Sequence, residues 1–195
     1  VIVVIGDFDG GIRANYHGTT MLTQMQRGMW DVLRAGMEKQ GLYVIRAVRP
    51  NHNVELEWVF DEFDRGKYKI AGLFHEIVLM NYAGKTLDPK FVKRMYALCK
   101  RHDVPTVVDE IQTGIWGPEL FMYREYGVKP GFVAIGKGFP GGEYCASRIL
   151  FKSDYDNLPQ FGALVTNGQE ELASLAYLIT MRWAQANAKV TAAVG

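Results

Sequence analysis

The chain has 195 residues, of which 48% are hydrophobic, and its formal net charge is +1. This length and composition suit one domain with a sizeable buried core, and the balanced charge gives no general case for nucleic acid or a membrane surface as a partner. No apolar run approaches the roughly 20 residues that cross a bilayer. Cys99 and Cys145 do not have the spacing of a metal site, so a reduced, cytoplasmic setting is the default expectation.

The first half of the chain alternates predicted strands with predicted helices. We expect strands at residues 1–5, 43–48, 69–76 and 104–109, and helices at residues 20–40 and 55–65. A third helix opens at Asp88-Pro89, with Asp at the cap and Pro in the first turn. This alternation predicts an α/β fold with a mainly parallel, helix-covered sheet and right-handed crossovers.

The last part of the chain contains two further predicted elements. Residues 144–151 indicate a returning strand in which Ala146, Ile149 and Leu150 are buried, and residues 170–186 indicate a helix.

Two short apolar runs end in ionisable residues. Residues 104–108 lead into Asp109-Glu110, and residues 132–135 lead into Gly136-Lys137-Gly138. Because ligands bind at the carboxyl ends of the strands in open α/β sheets, we expect the Asp109 carboxylate and the Lys137 amine to lie close together. Pyridoxal 5'-phosphate (PLP) needs such a pair: the amine forms a Schiff base with its aldehyde, and the acid keeps its pyridine ring protonated. The pairing lowers the pKa of the acid and raises that of the pyridinium.

The same segment has a second interpretation. Residues 131–137 spell G-x-x-x-x-G-K, the opening of a P-loop, which would indicate nucleotide binding. Position 138 is Gly, so the Ser or Thr that would hold magnesium is missing, and the residues between the glycines are typical of a strand. A lysine at a strand end with no function at all is the simplest alternative for Lys137 taken alone.

Four short motifs around these residues occur in the order and with the spacing of a known protein family. They are Asp109-Glu110-Ile111-Gln112-Thr113-Gly114, Glu119-Leu120-Phe121, Tyr126-Gly127-Val128-Lys129-Pro130 and Gly136-Lys137-Gly138. In this combination the chain resembles the class III (ornithine/GABA-type) aminotransferases of PLP fold type I. The resemblance extends, more weakly, from about Tyr16 to about Ala176.

The resemblance implies a fold and a domain assignment. Residues 1–195 would be the large, cofactor-binding domain of fold type I. The resembling enzymes are about twice as long, and the chain begins with Val rather than Met. We therefore expect an incomplete domain that lacks an N-terminal segment and the C-terminal small domain.

The resemblance also implies roles for residues near the ring of the cofactor. Lys137 would form the Schiff base and transfer the proton, and Asp109 would hold the pyridine nitrogen. Gln112 would contact the phenolic oxygen, to which an amide donates without adding charge. Ile111 and Tyr16 would lie on opposite faces of the ring, where an aromatic stack contributes roughly 1 kcal/mol beyond area burial.

Three further residues fall on family positions. Glu76 would position the cofactor and substrate region, and Thr166 would reach the phosphate of the partner subunit's cofactor, where a hydroxyl suits a phosphate oxygen. His17 follows Tyr16 in an aromatic-His-Gly word and is a weaker candidate for cofactor binding. For Tyr16, Gln112 and Thr166, the simple alternatives are a loop residue, a solvent-exposed amide and a helix cap.

The chain departs from the family at two places. Ile77 follows Glu76 where the family usually has Pro, which leaves the choice of substrate open. After Gly114, Ile115-Trp116-Gly117-Pro118 replaces the family's Phe-Gly-Arg word, so no role passes to that arginine. Trp116 would either form a wall of the substrate entrance or lie at the rim of a dimer interface.

Together these patterns predict a PLP-dependent aminotransferase that moves an amino group between an amine or amino acid and a keto acid or aldehyde. It would act as a homodimer with the site at the interface. Another PLP enzyme of the same fold, such as an aminomutase, racemase or decarboxylase, is one alternative. A non-catalytic fragment or assembly domain is another, because the family's upstream phosphate loop and downstream carboxylate-binding arginine are not found in this sequence.

Overall fold

A computed structural model describes residues 1–6, 30–42, 45–66, 68–80, 83–139, 141, 144, 146–159, 162 and 171–194. It divides into two compact units, Val1–Val108 and Asp109–Gly195. The predictions made for Tyr16, His17, Cys145 and Thr166 fall outside the described residues.

The first unit is built on a sheet whose first three strands along the chain are parallel. Its strands are β1 (Ile2–Ile5), β2 (Ile45–Val48), β3 (Gly72–Glu76) and β6 (Thr106–Asp109), whose last residue begins the second unit, in the order β2-β1-β3-β6. Strand β1 pairs in parallel with both β2 and β3, which makes it central. Val3, Val4 and Ile5 are accordingly fully buried, as expected of a strand covered on both faces. A small antiparallel hairpin, β4 (Val78–Leu79) with β5 (Lys85–Thr86), follows β3.

Three helices belong to this unit: α1 (Asp31–Lys39), α2 (Asn53–Asp64) and α3 (Pro89–Arg101). Helix α3 begins as the sequence predicts, because the Asp88 carboxylate accepts a hydrogen bond from the Lys90 N–H at 2.7 Å. Its buried stripe consists of Phe91, Val92, Met95, Leu98 and Cys99. In α2 the buried residues are Leu56, Val59 and Phe60, whereas α1 buries none of its residues.

The second unit contains α4 (Met122–Glu125), β7 (Phe132–Ile135), β8 (Arg148–Phe151), α5 (Glu171–Ala186) and α6 (Ala188–Val194). Strands β7 and β8 are antiparallel. The prediction that Ile149 and Leu150 are buried is wrong, because they are 63% and 42% exposed. Among the described residues β8 is the last strand of its sheet, and this edge position leaves its side chains partly open to solvent.

Strands and helices in this arrangement confirm the predicted α/β class. Helix α6 is an element that the sequence pattern did not indicate. Within the described ranges, no helix is both long enough and apolar enough to cross a membrane.

His75 is a fully buried titratable side chain in β3. Its Nδ1 lies 3.1 Å from the Glu76 carbonyl oxygen and its Nε2 lies 3.0 Å from the Tyr96 hydroxyl. Burial lowers the pKa of His75 to about 4, against the opposing effect of the Glu76 carbonyl. The folded protein therefore keeps this ring neutral under conditions in which an unfolded chain would protonate it.

We expect this histidine to make the fold sensitive to acid. Between the ordinary histidine pKa of about 6.5 and the folded value of about 4, the unfolded state binds a proton that the folded state does not. Stability therefore falls as the pH drops through that window, by at most about 1.4 kcal/mol per pH unit from this group. Urea unfolding at pH 7 and pH 5 measures the loss. His75→Gln should lose less stability over the same interval, and an equal loss in both proteins would contradict the assignment.

Candidate active site

Asp109 ends strand β6 and is half-buried. Its Oδ1 accepts a hydrogen bond from the Ile111 N–H at 2.9 Å, which orients the carboxylate. Burial raises the pKa of Asp109, and the Ile111 N–H and the positive charge of Lys137 act against that rise. The positive charge of Lys137 thus favours the ionised form of the Asp109 carboxyl.

Lys137 lies two residues beyond the end of β7 and is exposed. Its backbone has φ = 48°, in the left-handed region that a side chain other than glycine occupies at a cost of about 1–3 kcal/mol. Residues 136–139, the Lys137 turn, are closed by a 3.0 Å hydrogen bond from the Phe139 N–H to the Gly136 carbonyl. The lysine is thus presented from a strained turn at the end of a strand.

An aromatic anchor holds the far end of the Lys137 turn. Phe139 is 1% exposed and stacks on Phe121, with ring centroids 5.4 Å apart and an interplanar angle of 4°. Tyr177 of α5 packs on Phe139 at 5.6 Å. Offset stacking of this kind adds about 0.5–1.5 kcal/mol beyond area burial, so the backbone around Lys137 is fixed by packing as well as by hydrogen bonds.

Glu110, the residue after Asp109, is 1% exposed. Its carboxylate accepts hydrogen bonds from the Thr113 hydroxyl and, at 2.9 Å, from the Tyr123 N–H. Burial raises the pKa of Glu110, against the hydrogen bonds from Thr113 and Tyr123; the neighbouring Asp109 charge adds to the rise. Sequence reasoning assigned this residue no role, although an acid directly after a buried strand was a signal that could have marked it.

The remaining predicted residues are distributed as follows. Ile111 and Gln112 lie in the turn directly after Asp109, and both are half-buried. Glu76 ends β3 in the first unit and is 3% exposed. The structure thus brings Asp109, Ile111, Gln112 and Lys137 together in one unit and describes Glu76 in the other.

Two residues with a strained backbone lie beside residues 110–114, which we call the Asp109 turn. Ile115 has φ = 79° and Leu120 has φ = 69°, and the Ile115 N–H donates to the Leu120 carbonyl at 2.6 Å. A β-branched residue at positive φ is an outlier. Because such strain is typical of functional sites, this segment is a candidate part of one.

A cavity of about 570 Å³ lies within the second unit. Its lining includes Ile115, Trp116, Gly138, Gly141, Ile179 and Trp183. The Trp116 ring lies 3.7 Å from the position that a Cβ on Gly138 would occupy. Trp116 therefore forms a wall of an apolar cavity next to the Lys137 turn.

The structure disfavours the nucleotide-binding alternative. The four residues between the two glycines of the G-x-x-x-x-G-K word form strand β7, whereas a P-loop needs their amides free to bind phosphate. In the part of the chain that the structure describes, no group of three or more His, Cys, Asp or Glu residues could hold a metal ion.

The family model for class III aminotransferases matches residues 11–188. The chain belongs to this family. Members of the class III aminotransferase family depend on PLP, so the cofactor that the Asp109–Lys137 pair predicts is that of the family.

Relatives of this class III chain include enzymes that act on ornithine derivatives. It is 33% identical over 97 residues to an acetylornithine aminotransferase of Oceanobacillus iheyensis, an alignment that covers 47% of this chain and 24% of the relative. It is 42% identical over 59 residues to an ornithine aminotransferase of Plasmodium falciparum, covering 30% of this chain and 14% of the relative.

Solved structures give the same fold. The ornithine aminotransferase of Toxoplasma gondii superposes with a TM-score of 0.74 at 19% identity, covering 98% of this chain and 42% of that one. The N-acetylornithine aminotransferase of Stenotrophomonas maltophilia superposes with a TM-score of 0.64 at 22% identity, covering 98% and 40%. The class III chain thus spans about two fifths of the length of these structures, and their likeness confirms the α/β fold of the PLP enzymes.

Gly114 closes the Asp109 turn, and we expect it to tolerate no side chain. A Cβ there would lie 3.0 Å from the Glu110 carbonyl oxygen and 3.1 Å from the Phe139 ring, which is itself held by stacking. Gly114→Ala should therefore lower the free energy of unfolding by about 1–3 kcal/mol. Gly36→Ala is the matched control, because a Cβ in this helical position meets nothing within 4 Å. It should raise stability by about 0.5–1 kcal/mol. Chemical denaturation measures both, and equal effects would contradict the close packing at Gly114.

Proposed function

We propose that this chain is the cofactor-binding part of a PLP-dependent aminotransferase, moving an amino group between an amine or amino acid and a keto acid or aldehyde. The observation that carries the proposal is that Asp109 ends one strand and Lys137 follows the end of another, in a chain of the class III family. These two strand ends are joined by the 2.9 Å hydrogen bond from the Glu110 N–H to the Ala134 carbonyl. The names of the relatives favour transamination over the aminomutase, racemase and decarboxylase alternatives.

The residues present suit the cofactor. The Asp109 carboxylate is oriented by a backbone N–H, and the positive charge of Lys137 favours its ionised form, which matches the need for an anion beside a pyridinium. Lys137 is exposed, so its amine is accessible. Its two neighbours, Gly136 and Gly138, have no side chains that could block the approach of a ligand. When bound, PLP supplies an aldehyde carbon for an amine and a ring that withdraws electrons from the substrate.

The chemistry of the residues follows from their surroundings. Asp109 would hold the ring nitrogen and stabilise its positive charge, and the Ile111 N–H keeps the carboxylate in place. Lys137 would bind the aldehyde and, with its amine free, would accept a proton from one carbon atom and return it to another. Accepting the proton requires the neutral form of the amine.

The other assignments extend this proposal to the rest of the ring and to the phosphate. Gln112 would contact the phenolic oxygen, while Ile111 and Tyr16 would cover the two faces of the ring. Glu76 positions the cofactor and substrate region, with Thr166 on the phosphate and His17 nearby. Family position supports these roles, together with the place of Ile111 and Gln112 in the Asp109 turn.

The domain assignment, the cellular location and the oligomeric state also stay predictions. One is that residues 1–195 belong to a single large cofactor-binding domain, and another is a cytoplasmic location. The third is a homodimer with the site at the interface, which light scattering on the purified protein tests. A monomer with full activity would contradict it.

Covalent labelling tests the proposed chemistry. We expect PLP to give an absorbance band at the boundary of the near ultraviolet and the visible, and borohydride to fix the label on the peptide that contains Lys137. Lys137→Ala should abolish the band, and Lys129→Ala should retain it, because Lys129 is an exposed lysine of the same unit.

Each alternative gives a different result in this experiment. A label on a peptide without Lys137 would refute the site. A label on Lys137 without exchange between amines and keto acids would favour another PLP reaction or an inert fragment.

A further inference from the structure

We propose that Glu110 is a positioning residue of the cofactor site, which fixes the turn that carries Asp109 and Gln112. The inference rests on the proposed function, since the turn matters only if it faces a cofactor. It gives a role to Glu110, to which the proposed function assigns none.

The first argument is the environment of the Glu110 carboxylate. The side chain is 1% exposed, so water does not solvate its charge. Its two oxygens instead accept from different parts of the chain, one from the Thr113 hydroxyl and the other from the Tyr123 N–H at 2.9 Å. A buried carboxylate is costly unless such bonds compensate it, so these contacts are a condition of the fold at this point.

The second argument is that the Glu110 backbone joins the same parts of the structure. Its N–H donates to the Ala134 carbonyl of β7 at 2.9 Å, and its carbonyl accepts from the Gly114 N–H at 2.8 Å. Ala134 lies three residues before Lys137 on that strand. One residue therefore connects the end of β6, the strand that leads to Lys137, the Asp109 turn and the start of α4.

The third argument concerns what the turn does for Asp109. The N–H that orients the Asp109 carboxylate belongs to Ile111, the residue directly after Glu110. If the bonds to Thr113 and Tyr123 are lost, the turn is released at its buried side and the Ile111 N–H moves with it. The carboxylate then holds the ring nitrogen less well, although Asp109 itself is unchanged.

Burying the charged form of Glu110 costs free energy, and the hydrogen bonds to its carboxylate offset part of that cost. Among the described residues, the partners of its carboxylate are hydroxyl and amide groups rather than a cation. The neighbouring Asp109 charge raises the pKa of Glu110 further. The two oxygens of a carboxylate nevertheless accept from the Thr113 hydroxyl and the Tyr123 N–H at the same time. Glutamine has the same shape and one acceptor oxygen, and the Thr113 hydroxyl is free to rotate and accept from its amide nitrogen.

The experiment compares Glu110→Ala, Glu110→Gln and the control Glu119→Ala, which changes an exposed glutamate of the same unit. Three quantities are measured. They are amide hydrogen exchange at Tyr123 and Gly114 without cofactor, the Kd for PLP from the absorbance band of the lysine-bound cofactor, and the pH midpoint of that band.

We expect Glu110→Ala to increase hydrogen exchange at Tyr123 and to weaken PLP binding about tenfold, the factor that corresponds to about 1.4 kcal/mol. The pH midpoint of the band should shift, because it reports the charge beside the ring. Glu110→Gln should restore most of the affinity and the midpoint, and Glu119→Ala should leave all three quantities unchanged.

Other results would overturn the inference. If Glu110→Ala lowers thermal stability but leaves the Kd and the pH midpoint at their original values, the residue is structural and does not position the site. If that variant does not fold, Thr113→Val replaces it, since it removes the hydrogen bond from the Thr113 hydroxyl. Faster exchange at Gly114 and weaker PLP binding would then support the proposal, and an unchanged Kd and midpoint would refute it. Absence of the band in the unmodified chain would instead refute the proposed function.

Discussion

The removal of two adjacent carboxyl groups from water is the constraint on which the second unit depends. Asp109 and Glu110 follow each other at the end of β6, and burial raises the pKa of both. Each acid must therefore be stabilised by groups that the local fold supplies. Backbone N–H groups, one hydroxyl and the charge of Lys137 supply this stabilisation, and the turn after β6 takes the conformation that brings them together.

Packing and hydrogen bonding combine to make this arrangement rigid. Gly114 has no room for a side chain, because the Glu110 carbonyl and the Phe139 ring lie against it. Phe139 in turn stacks on Phe121, which lies directly before α4. The stacked rings of Phe121 and Phe139 thus fix the turn that carries Lys137 and lie against the turn that follows Asp109.

Sequence patterns predicted those parts of the fold that depend on local signals. Strand β7 has the predicted bounds, and Asp88 caps α3 as its position before Pro89 indicates. The expected proximity of Asp109 and Lys137 rests on the rule that ligands bind at the carboxyl ends of the strands in an open α/β sheet. The contact between Glu110 and Tyr123 joins residues 13 positions apart, and no periodicity reveals it. The exposure of Ile149 was missed because an edge strand has the same composition as a buried one.

The left-handed backbone of Lys137 has a consequence for how this position tolerates variation. Glycine adopts φ = 48° without strain and asparagine does so more readily than lysine. A library of variants at position 137 that is sorted for folding alone should accordingly become enriched in these two residues. Retention of lysine in a parallel selection for growth would then measure how strongly chemistry, rather than conformation, determines the residue at the tip of this strand.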